Sequence, residues 1–173
     1  MTAWLRIFLF LILPTLAHAE PPQPVQATVV AYFSPRGGAE AAIVQALSQA
    51  RSSVCVLAYS YTSAPIAAAL IEAHGRGVAV EVIVDKGQPT AKGGKAKETA
   101  AAGIPVLVDR AHAIAHNKVM VIDEARVITG SFNFTAGAEA RNAENMLVLD
   151  AADLAQAYLD DFARHKAHSA PLQ

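Results

Sequence analysis

The sequence predicts an α/β domain, a mixed β-sheet flanked by helices. Short runs rich in Val, Ile, Tyr and Phe alternate with helix-like stretches up to about residue 108, as they do where crossover helices join parallel strands. Beyond residue 118 two strand-like runs follow each other across a short gap, which argues for a hairpin added to the same sheet. The chain has 173 residues, a length that suits one domain.

The first segment stands apart from that domain. Arg6 supplies a positive end, residues 7–16 form a short apolar run interrupted by Pro14, and Ala17-His18-Ala19 offers small residues where a signal peptidase reads. This is a signal-peptide pattern over residues 1–19, short for a membrane span, with an uncleaved anchor as the alternative. The expectation is a periplasmic or secreted protein. Residues 20–25 read as a stiff Pro-rich leader and residues 26–168 as the folded domain.

Within the domain, residues 26–33 read as a strand, broken by Ser34-Pro35-Arg36-Gly37-Gly38. Residues 39–50 read as a helix with Ile43, Val44 and Leu47 on its apolar face. Residues 53–59 are apolar enough to be a strand buried on both faces. Residues 64–74 form a second helix, in which Pro65 fits the first turn, and Gly75 and Gly77 close it. A third strand spans 78–84 and ends at Asp85. Residues 86–94 form a loop rich in Gly and Lys, 95–102 a short helix ended by Gly103, and 104–108 a short strand. Strands at 118–122, 126–129 and 144–149 follow. Residues 152–165 form a last amphipathic helix with Leu154, Ala157, Tyr158 and Phe162 on one face. No internal repeat is visible.

Composition narrows the function. Fourteen Lys and Arg against 15 Asp and Glu give a net charge of −1, so bulk charge does not favour nucleic acid, and an anionic substrate needs a local basic site. Cys55 is the single cysteine, which excludes an intrachain disulfide. It lies in an apolar run without the electropositive neighbours that a catalytic thiol needs.

The chemistry concentrates in two stretches. His116 and Lys118 are two apart, as are Ser131 and Asn133, so in extended chain each pair shares one face. With a two-residue turn at Glu124-Ala125, Asp123 opposes Arg126, Lys118 opposes Ser131, and His116 opposes Asn133. Opposed residues point to the same face. Asp-Glu-Ala-Arg is a weak turn signal, and a slip of one residue would separate the pairs. In such a patch lysine, asparagine and serine can hold phosphoryl oxygens. Histidine can attack phosphorus or donate a proton to a leaving oxygen. Glu144, opening the next strand, can orient an imidazole.

His116-x-Lys118-x4-Asp123-x6-Gly130-Ser131 resembles the His-Lys-Asp signature of the phospholipase D superfamily. The run Gly130-Ser131-Phe132-Asn133-Phe134-Thr135, the later Asn142-Ala143-Glu144-Asn145, and the stretches Ala58-Tyr59-Ser60-Tyr61 and Gly103-Ile104-Pro105 are similar to its small bacterial Nuc-type endonucleases. The resemblance covers nearly the whole mature chain and implies an α/β/α sandwich. It implies that His116 forms a phosphohistidine intermediate, that a second histidine protonates the leaving oxygen and then activates water, and that Lys118 and Asn133 bind phosphoryl oxygens. It further implies that Ser131 supports the pocket and that Glu144 holds His116. Asp123 is the signature acid, and its place at a turn suggests a structural role, pairing with Arg126 or holding the turn. The superfamily's chemistry needs two signatures, and the chain carries one His-x-Lys. The implied assembly is a homodimer in which each His116 contributes to one shared site.

His112 and His116 have the spacing of helical zinc ligands, yet no Glu, Cys or acidic cluster stands between or beside them in the sequence. No metal or other cofactor is expected in the reaction. Lys86, Lys92, Lys95 and Lys97 form the best local basic patch for a nucleic-acid backbone, the alternative being a solvated loop. His165, Lys166 and His168 read as an exposed tail. The expected activity is a secreted nuclease cutting DNA or RNA. The alternatives are a phospholipid such as cardiolipin as substrate, and a catalytically silent nucleic-acid-binding dimer.

Overall fold

The computed structural model describes residues 24–173, so the signal-peptide reading lies outside the described residues. Fourteen elements follow in order: β1 (Thr28–Ser34), α1 (Ala39–Gln49), β2 (Ser53–Ala58), α2 (Ala64–Gly75), β3 (Ala79–Asp85), a 3-10 turn (Gln88–Thr90), α3 (Ala96–Ala101), β4 (Val106–Asp109), β5 (Lys118–Ile122), β6 (Arg126–Gly130), α4 (Ala136–Ala140), β7 (Glu144–Asp150), α5 (Ala152–His168) and β8 (Ala170–Pro171). The eight strands form one sheet in the order β1-β7-β6-β5-β2-β3-β4-β8. β2, β3 and β4 pair in parallel through the crossover helices, and the remaining pairings are antiparallel. The sheet is thus mixed, as the alternation followed by a hairpin predicts. No helix among the described residues is long and apolar enough to cross a membrane.

Strand alternation divides the core into two layers. On one face Val54, Val56, Val82, Met120 and Ile128 pack against Ile43 and Leu47 of α1 and Ile66 and Leu70 of α2. On the other, Leu57, Ile83, Val119, Val121 and Val127 pack against Ala155 and Phe162 of α5. The inward position on α5 is Ala155; Ala157, which the periodicity placed on the apolar face, is exposed. Helix α2 starts where Ser63 caps the amide of Ile66, with Pro65 in the first turn, a position where its missing N–H costs nothing.

Three features depart from the sequence reading. The β5–β6 turn has three residues: Ile122 pairs with Arg126 and Met120 with Ile128, so the two-residue turn and its pairing of Lys118 with Ser131 do not form. Asp123 and Glu124 adopt left-handed φ of 53° and 56°, which leaves no strand geometry for Asp123 to oppose Arg126. Arg126 instead makes an ion pair with Asp150 on β7. Helix α4 is absent from the sequence reading because its five residues include Gly137; Thr135 starts it by accepting the amide of Ala138. The C-terminal residues are not an exposed tail. Helix α5 runs to His168, and β8 then pairs with β4.

Candidate active site

The site is built where β2 ends and β5 begins. Lys118 pairs with Ala58 across these antiparallel strands, and the amide of Tyr59 continues the ladder by donating to the Asn117 carbonyl at 2.8 Å. Lys118 is buried. Its ammonium donates to the His116 carbonyl at 2.7 Å and lies 4.7 Å from the centre of the Tyr59 ring. Burial pushes its pKa below the ordinary lysine value, and the nearby Glu144 carboxylate partly opposes that shift. A desolvated cation held by one carbonyl and a ring face keeps hydrogen-bonding capacity for an anion.

His116 is exposed, and its ring packs against Tyr59 with centroids 4.4 Å apart. Its backbone is tethered one residue earlier, where the Ala115 amide donates to Asp85 Oδ2 at 2.8 Å. Asp85, buried at the end of β3, also receives the Gly87 amide on Oδ1. In the sequence Asp85 marks the end of a strand, and Tyr59 belongs to a stretch that carries the family resemblance. Neither signals its role until the sheet order brings β3 and β5 to either side of β2.

The second half of the site rests on a β-bulge. The amides of Ser131 and Phe132 both point to the Asn145 carbonyl, at 3.0 and 3.3 Å, an extra residue that re-aims the following side chains. Glycine is required just before it: a Cβ on Gly130 would lie 2.4 Å from the Asn145 carbonyl oxygen. The Ser131 hydroxyl donates to Glu144 Oε2 at 2.7 Å and accepts the Asn145 amide. Asn142 donates to Glu144 Oε1 at 3.0 Å. The carboxylate that the resemblance directs to His116 is therefore held by Ser131 and Asn142 in the single chain. The three-residue turn sets Val119 opposite Thr129, which leaves the Ser131 segment beside Lys118, and the Glu144 carboxylate lies close enough to act on the Lys118 ammonium.

Asn133 lies between Phe132 and Phe134, both buried in the core. The segment is fixed beside the Tyr59 strand end, since the amides of Thr62 and Ser63 donate to the Phe134 carbonyl. Asn133 Oδ1 is buried and has no hydrogen-bond partner among the described residues. An unpartnered buried acceptor is costly, and an incoming hydrogen-bond donor would relieve that cost.

Asp123 is not at this site. It lies at the far end of β5, about 16 Å along the strand from Lys118 at about 3.3 Å per residue. Its carboxylate accepts the amides of Arg51, Ser52 and Ser53 and the Ser52 hydroxyl at 2.8 to 3.1 Å. Burial raises its pKa, but the hydrogen bonds from Ser52, Ser53 and Arg51 outweigh that and hold it below the ordinary carboxylate value. The signature acid thus ties the hairpin turn to the α1–β2 loop, and it does so without Arg126.

The lysine-rich loop is only partly free. Lys95 pairs with Glu98 at 2.7 Å, and Lys86 donates to the His112 carbonyl; Lys92 and Lys97 are exposed. The loop is docked beside Tyr61, whose carbonyl accepts the Lys95 amide and whose amide donates to Gln88. Cys55 is half-buried, and burial followed by the charge of Glu81 pushes its thiol up to about 11, a setting unsuited to nucleophilic work.

A family model described as the cardiolipin synthase, PLD-like domain matches residues 43–166. A Rickettsia bellii protein named phospholipase D is 40% identical over 156 residues, covering 90% of this chain and 78% of that one. A Xenopus laevis protein named mitochondrial cardiolipin hydrolase is 36% identical over 123 residues, 70% of this chain and 58% of its own length. Among solved structures, a phospholipase D family member, Nuc from Salmonella typhimurium, superimposes with a TM-score of 0.80 at 34% identity, covering 84% of this chain and 98% of that one.

Proposed function

The chain belongs to the phospholipase D superfamily of phosphodiester hydrolases, and we propose that it is a metal-independent endonuclease, cutting DNA or RNA in a site shared by two copies. The observation that carries this reading is the pairing of an exposed imidazole, His116, with a buried ammonium, Lys118, on one Tyr59 ring.

A nitrogen of His116 attacks phosphorus, and the bond from phosphorus to the leaving oxygen breaks. The partner's His116 gives that oxygen its proton. Water then attacks the phosphohistidine, the partner's His116 takes the water proton, and the P–N bond breaks. The products are one phosphomonoester and one alcohol. Lys118 and Asn133 hold the non-bridging oxygens as charge builds. Ser131 and Asn142 hold Glu144, which in the dimer faces the imidazolium that forms.

Two copies are needed because one chain supplies one signature. Phe33, which pairs with Asn145, and Ile114, two residues before His116, are 65% and 54% exposed. Apolar side chains beside an incomplete site suit an isologous interface. The second reading, a phospholipid substrate, is favoured by the same apolar rim and by the names of the Rickettsia and Xenopus relatives. The nuclease reading is favoured by the small Nuc-type motifs and by exposed Lys92 and Lys97.

The test is incubation of the purified protein and its His116→Ala variant in chelator with DNA, RNA and cardiolipin vesicles, with mass in solution measured by sedimentation. Expected are a dimer and His116-dependent cleavage of nucleic acid. Cleavage of lipid alone supports the second reading, while cleavage that survives His116→Ala, or an active monomer, refutes the mechanism. The proposal of secretion is checked by N-terminal sequencing of periplasmic protein, with Glu20 expected first.

A further inference from the structure

At the far side of the sheet from α1 and α2, three imidazoles converge on one carboxylate oxygen. Asp109, at the end of β4, is fully buried, and its Oδ2 lies 2.7 Å from His165 Nδ1, 2.9 Å from His112 Nδ1 and 3.2 Å from His168 Nε2. Its Oδ1 is engaged by the Ala111 amide at 2.9 Å, which leaves Oδ2 as a single inward donor. One donor atom from each of these four residues lies within 4.8 Å of the others, and the rings stand 5.0 to 5.5 Å apart.

We propose that Asp109, His112, His165 and His168 form a closed, tetrahedral binding site for a divalent first-row metal ion of the Zn²⁺ type. Three imidazole nitrogens and one carboxylate oxygen are a donor set that Zn²⁺ takes readily. Zinc bonds of about 2.0–2.1 Å place tetrahedral ligands about 3.3–3.4 Å apart. The Asp109 contacts of 2.7 to 3.2 Å need to lengthen by about 0.1–0.7 Å to reach that spacing, and the imidazoles close up around the ion. His112 and His168 have the room to do so, being 47% and 35% exposed. The metal replaces three donors competing for one oxygen with three coordinate bonds. The spacing supports it: Asp109 and His112, and again His165 and His168, are three apart, and the second pair shares a face of α5. Behind His165, Asp161 Oδ2 lies 3.7 Å from the remaining ring nitrogen, so a shift of the ring by about half an ångström would give it the outer carboxylate that orients metal-bound histidines.

Four protein ligands leave no open coordination position, which marks a structural site rather than a catalytic one. Its effect is to fasten the end of α5 to the loop after β4. That loop delivers His116, and Asp85 already holds it at Ala115. The metal therefore braces the approach to the active site without taking part in the reaction, and the inference stands whether the substrate is nucleic acid or lipid.

The test uses the untagged full chain. Elemental analysis after purification and Co²⁺ titration of metal-stripped protein read occupancy and geometry, and thermal melting with and without Zn²⁺ reads the brace. Expected are one metal per chain, intense tetrahedral Co²⁺ absorption, and a melting temperature raised by about 10 °C or more at saturating metal. His112→Ala and His165→Ala lose all three readouts, and His116→Ala keeps them. Wild-type protein that binds no Zn²⁺ or Co²⁺, octahedral Co²⁺ spectra, or binding lost on His116→Ala would each overturn the proposal. If the cluster variants do not fold, the wild-type stoichiometry and spectrum decide alone.

Discussion

Replacing Asp123 with asparagine removes one negative charge from a carboxylate that accepts three backbone amides and a hydroxyl. Asparagine tolerates the left-handed φ of 53° and keeps one oxygen in place, so the change isolates the charge. Charge-assisted hydrogen bonds are about twice as strong as neutral ones, and a neutral one contributes about 1 kcal/mol net. These donors share two oxygens at a partly exposed turn, so the expected loss is about 1.5 kcal/mol. For a chain of this size that lowers the melting temperature by about 3–6 °C. The pKa of Asp123 is depressed in the folded state, so its contribution is complete above the unfolded value near 3.9 and is lost as pH falls through the folded value. The gap between wild type and variant, measured by calorimetry, is therefore full at pH 7 and narrows below about pH 4. Turnover at 25 °C should stay within about twofold. A tenfold fall in kcat with an intact fold, about 1.4 kcal/mol in the barrier, would show that Asp123 serves the chemistry, and a melting gap that does not depend on pH would refute the charge argument.

Other changes probe the site from different sides. Gly130→Ala drives a methyl group to 2.4 Å from the Asn145 carbonyl; calorimetry should find a loss of about 2–3 kcal/mol, with activity falling as the Ser131 bulge shifts. Tyr59→Leu removes the ring beneath Lys118 and His116 and should lower kcat/KM about fivefold on a cation–π contribution of about 1 kcal/mol, whereas Tyr59→Phe keeps the ring and the rate. Cys55, with its thiol raised to about 11, should react with a thiol reagent at pH 8 about a hundredfold more slowly than a free cysteine of ordinary pKa, and Cys55→Ser should leave turnover unchanged.

How much of this was legible in advance depends on whether the signal was local. The order of strands and helices, the two core faces and the His116–Lys118 pair follow from periodicity and spacing, because side chains alternate with the backbone wherever a segment is regular. The hairpin register did not follow, because Asp123 leaves the strand to meet amides some 70 residues earlier in the chain, and no turn residue announces that. Helix α4 was missed for the opposite reason: its capping threonine is visible, but five residues carry no period.

The residues at hand were enough to name half a phosphodiesterase site, since a His-x-Lys and a Gly-Ser-x-Asn keep their meaning in any extended chain. What surrounds those residues was decided by the sheet. Only its strand order sets Asp85 behind the His116 loop and Tyr59 between His116 and Lys118. Only the packing of α5 across the sheet carries His165 and His168 to Asp109 and His112, more than 50 positions away in sequence. Such convergence leaves no trace in local pattern, because it depends on where whole elements bury their apolar faces rather than on the residues that end up in contact.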